Sequence, residues 1–267
     1  MKLSIAYSPC PNDTFMFCGV AAGKLHMPDV ETEVHVHDVE TLNQMALEGR
    51  YDVTKLSFHA YLLVRAEYRL LRVGAALGHG CGPLVVTRRD IWPADLAGLR
   101  VAVPGKLTTA HLLLRLWAPQ VRDRVFMRYD RIIYQVASGA VEAGVLIHEG
   151  RLVYQKAGLR LLADLGQWWQ ETNHMPIPLG CIAARRSLGE ETIRDFEALL
   201  RRAIEDSLAK PEGTLEYVRQ YAQEMDEDVL REHVRTFVND YSLDLGADGD
   251  AAIERLAELA LAVGIIP

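Results

Sequence analysis

Gly139-Ala140-Val141-Glu142-Ala143-Gly144-Val145-Leu146-Ile147-His148-Glu149 is the stretch on which the interpretation of this chain depends. A glycine that ends a predicted helix leads into a short aliphatic strand, and the strand stops at an ionisable pair. Ligands of open α/β sheets bind beyond the carboxyl ends of the strands, so we expect His148 to face a pocket. The alternative for a histidine at a strand edge is a hydrogen bond to a backbone carbonyl. Glu149 either orients the imidazole or points outward, and the sequence leaves both roles open.

Two pairs of segments in the chain have a similar order of elements. Residues 46–57 repeat the order seen in residues 139–149, namely a helix end, a glycine, an acidic residue and a short strand with polar residues at its end. Residues 3–9 and 99–105 each form a strand followed by a proline-containing loop. The pattern predicts an α/β protein with two lobes, each a mixed sheet flanked by helices, with a ligand cleft and a hinge between them. We place the larger lobe at 1–98 plus 183–267 and the smaller lobe at 99–182.

Composition limits the class of protein. The 267 residues are 49% apolar, which is enough for a sizeable core. No run approaches the roughly 20 apolar residues of a membrane span, and Met1-Lys2 leads straight into a strand, so we expect a cytoplasmic protein. A net charge of −7 argues against nucleic acid as a partner but leaves a small anionic ligand open. The cysteines lack the CxxC spacing of a zinc site or disulfide framework; they are Cys10, Cys18, Cys81 and Cys181.

The first strand, residues 2–7, leads into a loop of prolines and polar residues. The prolines restrict the backbone, and Asn12, Asp13 or Thr14 can cap a helix that starts near Phe15. These polar side chains therefore either cap the helix or line a pocket at the strand end. Asn12 is the candidate among them for contact with a ligand.

Polar residues also occur at two further strand or helix ends. Lys55 and Ser57 could hold a ligand oxygen at the end of a strand, although a lysine there also suits a solvent-facing surface. In the second half of the chain, Thr108 or Thr109 can cap a helix over residues 110–117. The free N–H groups at the start of that helix are suited to a carboxylate.

Other features have structural explanations. His35 and His37 lie on one face of a predicted strand, but no third ligand follows at a metal-site spacing, so a solvated strand face is favoured over a metal site. The glycine-dense residues 74–83 suit close approach to a ligand, a hinge or tight packing. Residues 164–169 and 175–180 are candidates for a lid or cleft wall. Amphipathic patterns predict helices that pack on the first lobe, over 190–210, 213–223, 227–240 and 248–263.

These motifs together resemble the 1,4-dihydroxy-6-naphthoate synthase family of the futalosine route to menaquinone. The resemblance spans nearly the whole chain, and its most specific segment is Ser8-Pro9-Cys10-Pro11-Asn12-Asp13-Thr14-Phe15. The other segments that carry it are Asp38-Val39-Glu40-Thr41-Leu42-Asn43, Thr54-Lys55-Leu56-Ser57, Gly82-Pro83-Leu84-Val85-Val86, Val101-Ala102-Val103-Pro104-Gly105, Thr108-Thr109-Ala110, Ile147-His148-Glu149 and Ser242-Leu243-Asp244-Leu245-Gly246.

The resemblance implies an enzyme that has a type II periplasmic-binding-protein fold and needs no cofactor. It implies cleavage of cyclic dehypoxanthinyl futalosine, a carboxylate, to 1,4-dihydroxy-6-naphthoate and dihydroxyacetone, with His148 as the base. It also implies that the substrate contacts Lys55-Leu56-Ser57 and Thr109-Ala110. Because of their positions, Thr108 and Asn12 join this candidate binding set.

Three other functions are compatible with the same two lobes. One is the chorismate dehydratase of the same pathway, which resembles the same fold, and the Ile147-His148-Glu149 segment favours the naphthoate synthase over it. The others are a solute-binding protein for an organic acid and the effector half of a transcription regulator. The sequence shows neither an export signal nor a basic helix-turn-helix, which disfavours both. It does not determine the oligomeric state.

Overall fold

The computed structural model of the protein describes residues 1–222 and 226–267. Strands and helices alternate over much of the first 190 residues, as expected of an α/β protein, and α-helices predominate in the described residues that follow. The strands are β1 (Lys2–Tyr7), β2 (Glu31–Val36), β3 (Val53–Ser57), β4 (Tyr68–Leu70), β5 (Ala76–Gly78), β6 (Leu84–Thr87), β7 (Val101–Val103), β8 (Arg124–Phe126), β9 (Ala143–Leu146), β10 (Arg160–Asp164) and β11 (Ile177–Arg185).

The helices surround these strands and continue to the end of the chain. The α-helices are α1 (Pro11–Ala21), α2 (Val39–Leu47), α3 (Phe58–Val64), α4 (Thr109–Trp117), α5 (Ile132–Ala137), α6 (Gly150–Val153), α7 (Leu165–Asn173), α8 (Glu190–Ala209), α9 (Pro211–Arg219), α10 (Glu227–Phe237), α11 (Asp240–Leu243) and α12 (Gly246–Ala262). Short 3-10 helices lie at Pro93–Gly98, Tyr129–Arg131, Tyr154–Ala157 and Arg186–Leu188.

Two mixed sheets organise the fold. The first sheet has the strand order β2-β1-β3-β11-β4, with β5 also paired to β11, and the second has the order β10-β6-β9-β7-β8. Each sheet contains a run of parallel strands, β2-β1-β3 or β8-β7-β9, and an antiparallel strand, β11 or β6, beside the last of them. This shared order confirms the two similar lobes that the repeated sequence patterns predict.

The chain passes from one sheet to the other at positions that differ from the boundaries at 98 and 182 that the sequence suggested. β6 belongs to the second sheet, although it precedes residue 99, and β11 belongs to the first sheet, although it begins before residue 183. Each of these strands pairs antiparallel with the sheet of the other lobe. Apolar runs show that a segment is a buried strand but not which sheet it joins, and this explains the difference.

The two chain segments that pass between the sheets contact each other. The Leu165 N–H donates to the Pro83 carbonyl at 2.9 Å. A Cβ atom on Gly82 would lie 2.2 Å from the backbone of Gly166, so only glycine allows this approach. At this point the glycine-dense segment therefore serves the close packing of the two crossings.

The first helix begins earlier than the sequence suggested. α1 starts at Pro11 rather than near Phe15, because proline is favourable in the first turn, where its missing N–H needs no helical partner. Asn12, Asp13 and Thr14 therefore lie inside the first turn, and none of them is the N-cap. The side chains of Asn12 and Asp13 remain available for other contacts, whereas the Thr14 hydroxyl donates to the Cys10 carbonyl at 3.0 Å.

Some later boundaries also differ. The sequence also predicts a helix over 58–68, but α3 ends at Val64 and Tyr68–Leu70 forms β4. The helix predicted over 213–223 corresponds to α9, which ends at Arg219, and residue 223 lies outside the described residues. Within the described chain, no helix is long and apolar enough to cross a membrane.

Candidate active site between the two sheets

A cavity lies between the two lobes. Both sheets and the crossings contribute to its wall, because β3, α1 and α10 reach it from one side and the ends of β9 and α4 from the other. Every candidate that the sequence predicts lines this cavity, namely Asn12, Lys55, Leu56, Ser57, Thr108, Thr109, Ala110 and His148.

His148 follows the end of β9, where the sequence placed it. Its backbone is in the left-handed region, with φ at +54°, which is costly for a residue with a side chain and is often found at functional sites. Its ring packs edge-on against Tyr129 with 4.7 Å between the ring centroids. Burial lowers the pKa of the imidazole to about 4, although Asp13 nearby acts in the opposite direction. The ring is therefore neutral at pH 7 and can accept a proton.

Cys10 contacts this imidazole from the other lobe. Its Sγ lies 3.1 Å from Nδ1 and 3.2 Å from Nε2 of His148. Burial, and then the nearby carboxylates of Asp13 and Glu149, raise the pKa of the thiol well above its ordinary value. Cys10 is therefore a neutral thiol at pH 7 rather than a thiolate nucleophile.

Asp13 is the centre of a buried polar network. Its carboxylate accepts hydrogen bonds from the Lys55 ammonium at 2.6 Å, from Asn12 Nδ2 at 2.8 Å and from Ser8 Oγ at 2.5 Å. The side chains of Lys55 and Asp13 are 6% and 0% exposed. Lys55 is thus half of a buried ion pair at the cavity wall and not a solvent-facing lysine.

The network continues to a residue that the sequence did not single out. His233 lies on α10, lines the cavity, and its Nε2 is 3.1 Å from Oδ1 of Asn12. Its ring centroid is 6.3 Å from that of His148. The apolar face of α10, Leu230-His233-Val234-Phe237 at helical spacing, includes this histidine, and that pattern could have indicated a buried role.

Asn43 fixes Ser57 through two hydrogen bonds. Asn43 Nδ2 donates to Ser57 Oγ at 3.1 Å, and the Ser57 N–H donates to Asn43 Oδ1 at 2.9 Å. Because the hydroxyl oxygen accepts from Asn43, its proton is left for a ligand. Ser57 is therefore held in place as a donor at the end of β3.

Thr108, which precedes α4, and Thr109, which begins it, have different roles. Thr108 is the N-cap, since its Oγ1 accepts from the His111 N–H at 3.2 Å. The Thr109 hydroxyl donates to the Leu179 carbonyl of β11 at 2.7 Å, which joins the second lobe to the first. The first N–H groups of α4 lie at the cavity beside them.

A second contact between the lobes is made by Glu40 of α2. Its Oε1 accepts from the Lys106 N–H at 2.8 Å, and its Oε2 accepts from the Leu107 N–H at 3.0 Å. Gly105 permits this contact, because a Cβ there would lie 2.4 Å from the carboxylate. Glu40 thereby holds the loop that precedes α4 against the first lobe.

Arg151 also lines the cavity, and the sequence did not indicate it. Its Nη2 donates to the Gly80 carbonyl at 3.1 Å and lies 3.4 Å from an Asp164 carboxylate oxygen. Its Nε is buried and has no hydrogen-bond partner among the described residues. Glu149 is only 9% exposed, so it does not point outward.

The His35-His37 pair lies elsewhere, with His35 on β2 and His37 directly after it. His37 Nε2 is 2.9 Å from the Tyr51 hydroxyl, and His35 Nε2 is 3.3 Å from a Glu33 carboxylate oxygen. Among the described residues, no cluster of three or more potential metal ligands is found. Both histidines are partly buried and contact side chains of the first lobe.

Comparison with known proteins shows the family. A sequence model of the menaquinone biosynthesis family matches residues 3–262. The chain belongs to this menaquinone biosynthesis family. Two curated relatives are named 1,4-dihydroxy-6-naphthoate synthase. The one from Thermus thermophilus is 50% identical over 263 residues, covering 98% of this chain and 95% of that protein. The one from Streptomyces coelicolor is 44% identical over 271 residues, covering 99% and 95%.

Solved structures agree with the predicted fold. A crystal structure of an Archaeoglobus fulgidus protein is 39% identical, covers 99% of this chain and 98% of its own, and has a TM-score of 0.94. The alkanesulfonate-binding protein SsuA from Xanthomonas axonopodis pv. citri, bound to MOPS, is 17% identical, with coverages of 100% and 94% and a TM-score of 0.73. The expected resemblance to the naphthoate synthases and the periplasmic-binding-protein-like fold are both confirmed.

Proposed function

We propose that this protein is a 1,4-dihydroxy-6-naphthoate synthase, a carbon–carbon lyase that converts cyclic dehypoxanthinyl futalosine to 1,4-dihydroxy-6-naphthoate and dihydroxyacetone. The names of two relatives at 50% and 44% identity support this activity. The observation that carries the proposal is the neutral imidazole of His148 at the end of β9, inside a cavity whose wall includes hydroxyl and amide groups.

His148 is the general base in this proposal. Breaking a C–C bond beside a carbonyl in a polyhydroxylated ring requires the removal of a hydroxyl proton at neutral pH. A histidine with a pKa of about 4 is unprotonated under these conditions and can accept that proton. The lowered pKa makes the imidazole a weaker base, so its position beside the substrate must account for much of its effect.

The substrate carboxylate and hydroxyls suit the rest of the cavity wall. The N-terminus of α4 offers backbone N–H groups at Thr109 and Ala110, which favour an anion. Ser57 offers a hydroxyl proton, because its oxygen already accepts from Asn43. Lys55 lies at the same wall, where its ion pair with Asp13 leaves further ammonium protons for a ligand oxygen.

The lobes isolate the reaction from water. Thr109 and Glu40 join them by hydrogen bonds to Leu179 and to the loop of Lys106. Separation of the lobes would admit the substrate, and their closure would exclude water from the reacting centre. We also place the enzyme in the cytoplasm, which fits its four buried free thiols.

Incubation of the purified chain with cyclic dehypoxanthinyl futalosine tests the activity. We expect naphthoate absorbance and dihydroxyacetone to appear together, and a chelator to leave the rate unchanged. Chorismate, tested in parallel, should not be dehydrated. Turnover of chorismate but not of the cyclic substrate would assign the chain to the sister activity instead.

Substitution of His148 tests its role. His148→Asn is the appropriate variant, because asparagine tolerates the left-handed backbone better than alanine does. We expect turnover to fall by about 10² or more, the usual size of a general-base contribution, with substrate affinity kept within about tenfold. Turnover near that of the wild type would remove His148 from the mechanism.

A further inference from the structure

His233 lines the cavity, but neither the predicted base nor the predicted binding set includes it. The residue is 1% exposed and lies on α10, more than 80 positions after His148 in the chain. Its Nδ1 is buried without a hydrogen-bond partner among the described residues. Buried polar atoms in proteins nearly always have a partner, so this nitrogen needs an explanation.

The network around Asp13 determines where the proton of His233 lies. Asp13 is an acceptor, because its carboxylate is ion-paired with the Lys55 ammonium. Asn12 must therefore direct its NH₂ group to Asp13, which leaves Asn12 Oδ1 as an acceptor for His233 Nε2. It follows that Nε2 carries the proton of the imidazole, and that Nδ1 holds a lone pair.

The charge of His233 agrees with this assignment. Burial lowers its pKa well below the ordinary value, and His148, Arg151 and Lys55 lower it further. The ring is therefore neutral at pH 7, with one donor and one acceptor nitrogen. The donor nitrogen, Nε2, donates to Asn12 Oδ1, and only the acceptor nitrogen, Nδ1, remains for a ligand.

We propose that Nδ1 of His233 accepts a hydrogen bond from a hydroxyl group of the substrate, beside the hydroxyl that His148 deprotonates. His233 is then a binding residue that selects a ligand with two neighbouring hydroxyls. The two rings suit this role, since their centroids are 6.3 Å apart at the same cavity. This inference rests on the proposed function and names a further contact of its substrate.

A pair of substitutions distinguishes the role of Nδ1 of His233 from that of Nε2. In His233→Asn the shorter side chain places its amide near the position of Nδ1, keeps an acceptor oxygen there and loses the contact with Asn12. In His233→Gln the longer side chain places its amide near the position of Nε2, keeps the contact with Asn12 and removes the acceptor at Nδ1. The exposed His26 provides a control, His26→Gln.

The affinity for cyclic dehypoxanthinyl futalosine is measured in a His148→Asn background, so that the ligand is not consumed. We expect His233→Gln to weaken binding about tenfold, His233→Asn to weaken it about threefold or less, and His26→Gln to leave it unchanged. In the otherwise unaltered enzyme, His233→Gln should raise KM more than it lowers kcat.

Three outcomes overturn the inference. Wild-type affinity in His233→Gln would show that Nδ1 contacts no substrate group. Loss of affinity in His233→Asn alone would show that the contact with Asn12 is what matters. Loss in both variants, with equal decreases in melting temperature, would assign His233 a purely structural role. Failure of the wild-type chain to bind or cleave the substrate would instead contradict the proposed function.

Discussion

Sγ of Cys10 lies 3.1 Å from Nδ1 and 3.2 Å from Nε2 of His148, so one thiol of the first lobe contacts both nitrogens of the candidate base in the second. An S–H group is a weak hydrogen-bond donor, and a substrate hydroxyl can displace it. The contact therefore holds the imidazole beside α1 without blocking its reaction.

Substitution of Cys10 should show how strongly its side chain competes with the substrate for the His148 imidazole. In Cys10→Ser the stronger O–H donor competes with the substrate for the imidazole, and we expect kcat/KM to fall about threefold to tenfold. Cys10→Ala removes the competitor and should change kcat/KM by less than about threefold. Steady-state kinetics with Cys18→Ser, a buried cysteine outside the cavity wall, provides the control. A loss of about 10² or more in Cys10→Ala would mean that the thiol itself takes part in the reaction.

The ion pair of Asp13 and Lys55 predicts a large effect on stability. Asp13→Asn leaves the Lys55 ammonium buried without its counter-charge, which we expect to lower the free energy of unfolding by about 3–5 kcal/mol. Replacing both residues by apolar ones, Asp13→Leu with Lys55→Met, should restore a large part of this loss while activity stays low. Urea unfolding measures both effects. Equal stability of Asp13→Asn and the wild type would show that water or another group compensates the lysine.

Thr108 and Thr109 allow capping to be separated from binding. Thr108→Ala removes the N-cap of α4 and should lower the free energy of unfolding by about 1 kcal/mol. Ser57→Ala should instead raise KM with a smaller change in kcat, since it removes the hydroxyl donor that Asn43 holds at the cavity. Thr109→Ala should do the same, because it removes the hydrogen bond to Leu179 that holds the N–H groups of α4 against the first lobe. Melting curves and kinetics of the three variants test this division. A lowered melting temperature with unchanged KM in Thr109→Ala would contradict its binding role.

Buried histidines predict sensitivity to acid. Burial lowers the pKa of His59, His111 and His148 to about 4, below the unfolded-state value of about 6.5. The unfolded state therefore binds more protons between these pH values, and stability present above pH 6.5 is lost as the pH falls towards 4. Each histidine contributes up to about 1.4 kcal/mol per pH unit.

Urea unfolding between pH 4.5 and 7.5 measures this dependence. His111→Leu removes one buried histidine outside the cavity wall and should reduce the slope by about one proton, whereas His26→Gln at the surface should not. An unchanged slope in His111→Leu would mean that this imidazole is not kept neutral in the folded protein.

The sequence by itself determined the α/β class, the two lobes of similar plan and the candidate residues at the cavity. These predictions depend on local information, because a strand that ends at His148 or Ser57 is recognised by its apolar run and by the polar residues that follow it. The resemblance of whole segments, such as residues 8–15, identified the family that the comparisons show.

Only the tertiary structure decided which sheet β6 and β11 join, that Asp13 pairs with Lys55 instead of capping a helix, and that His233 lies beside His148. These facts depend on contacts between residues that are far apart in the chain. Hydrophobic periodicity shows which face of a helix or strand is buried but not what it is buried against. For that reason the sequence could place His233 on the apolar face of α10, but only the folded chain brings that face to the cavity.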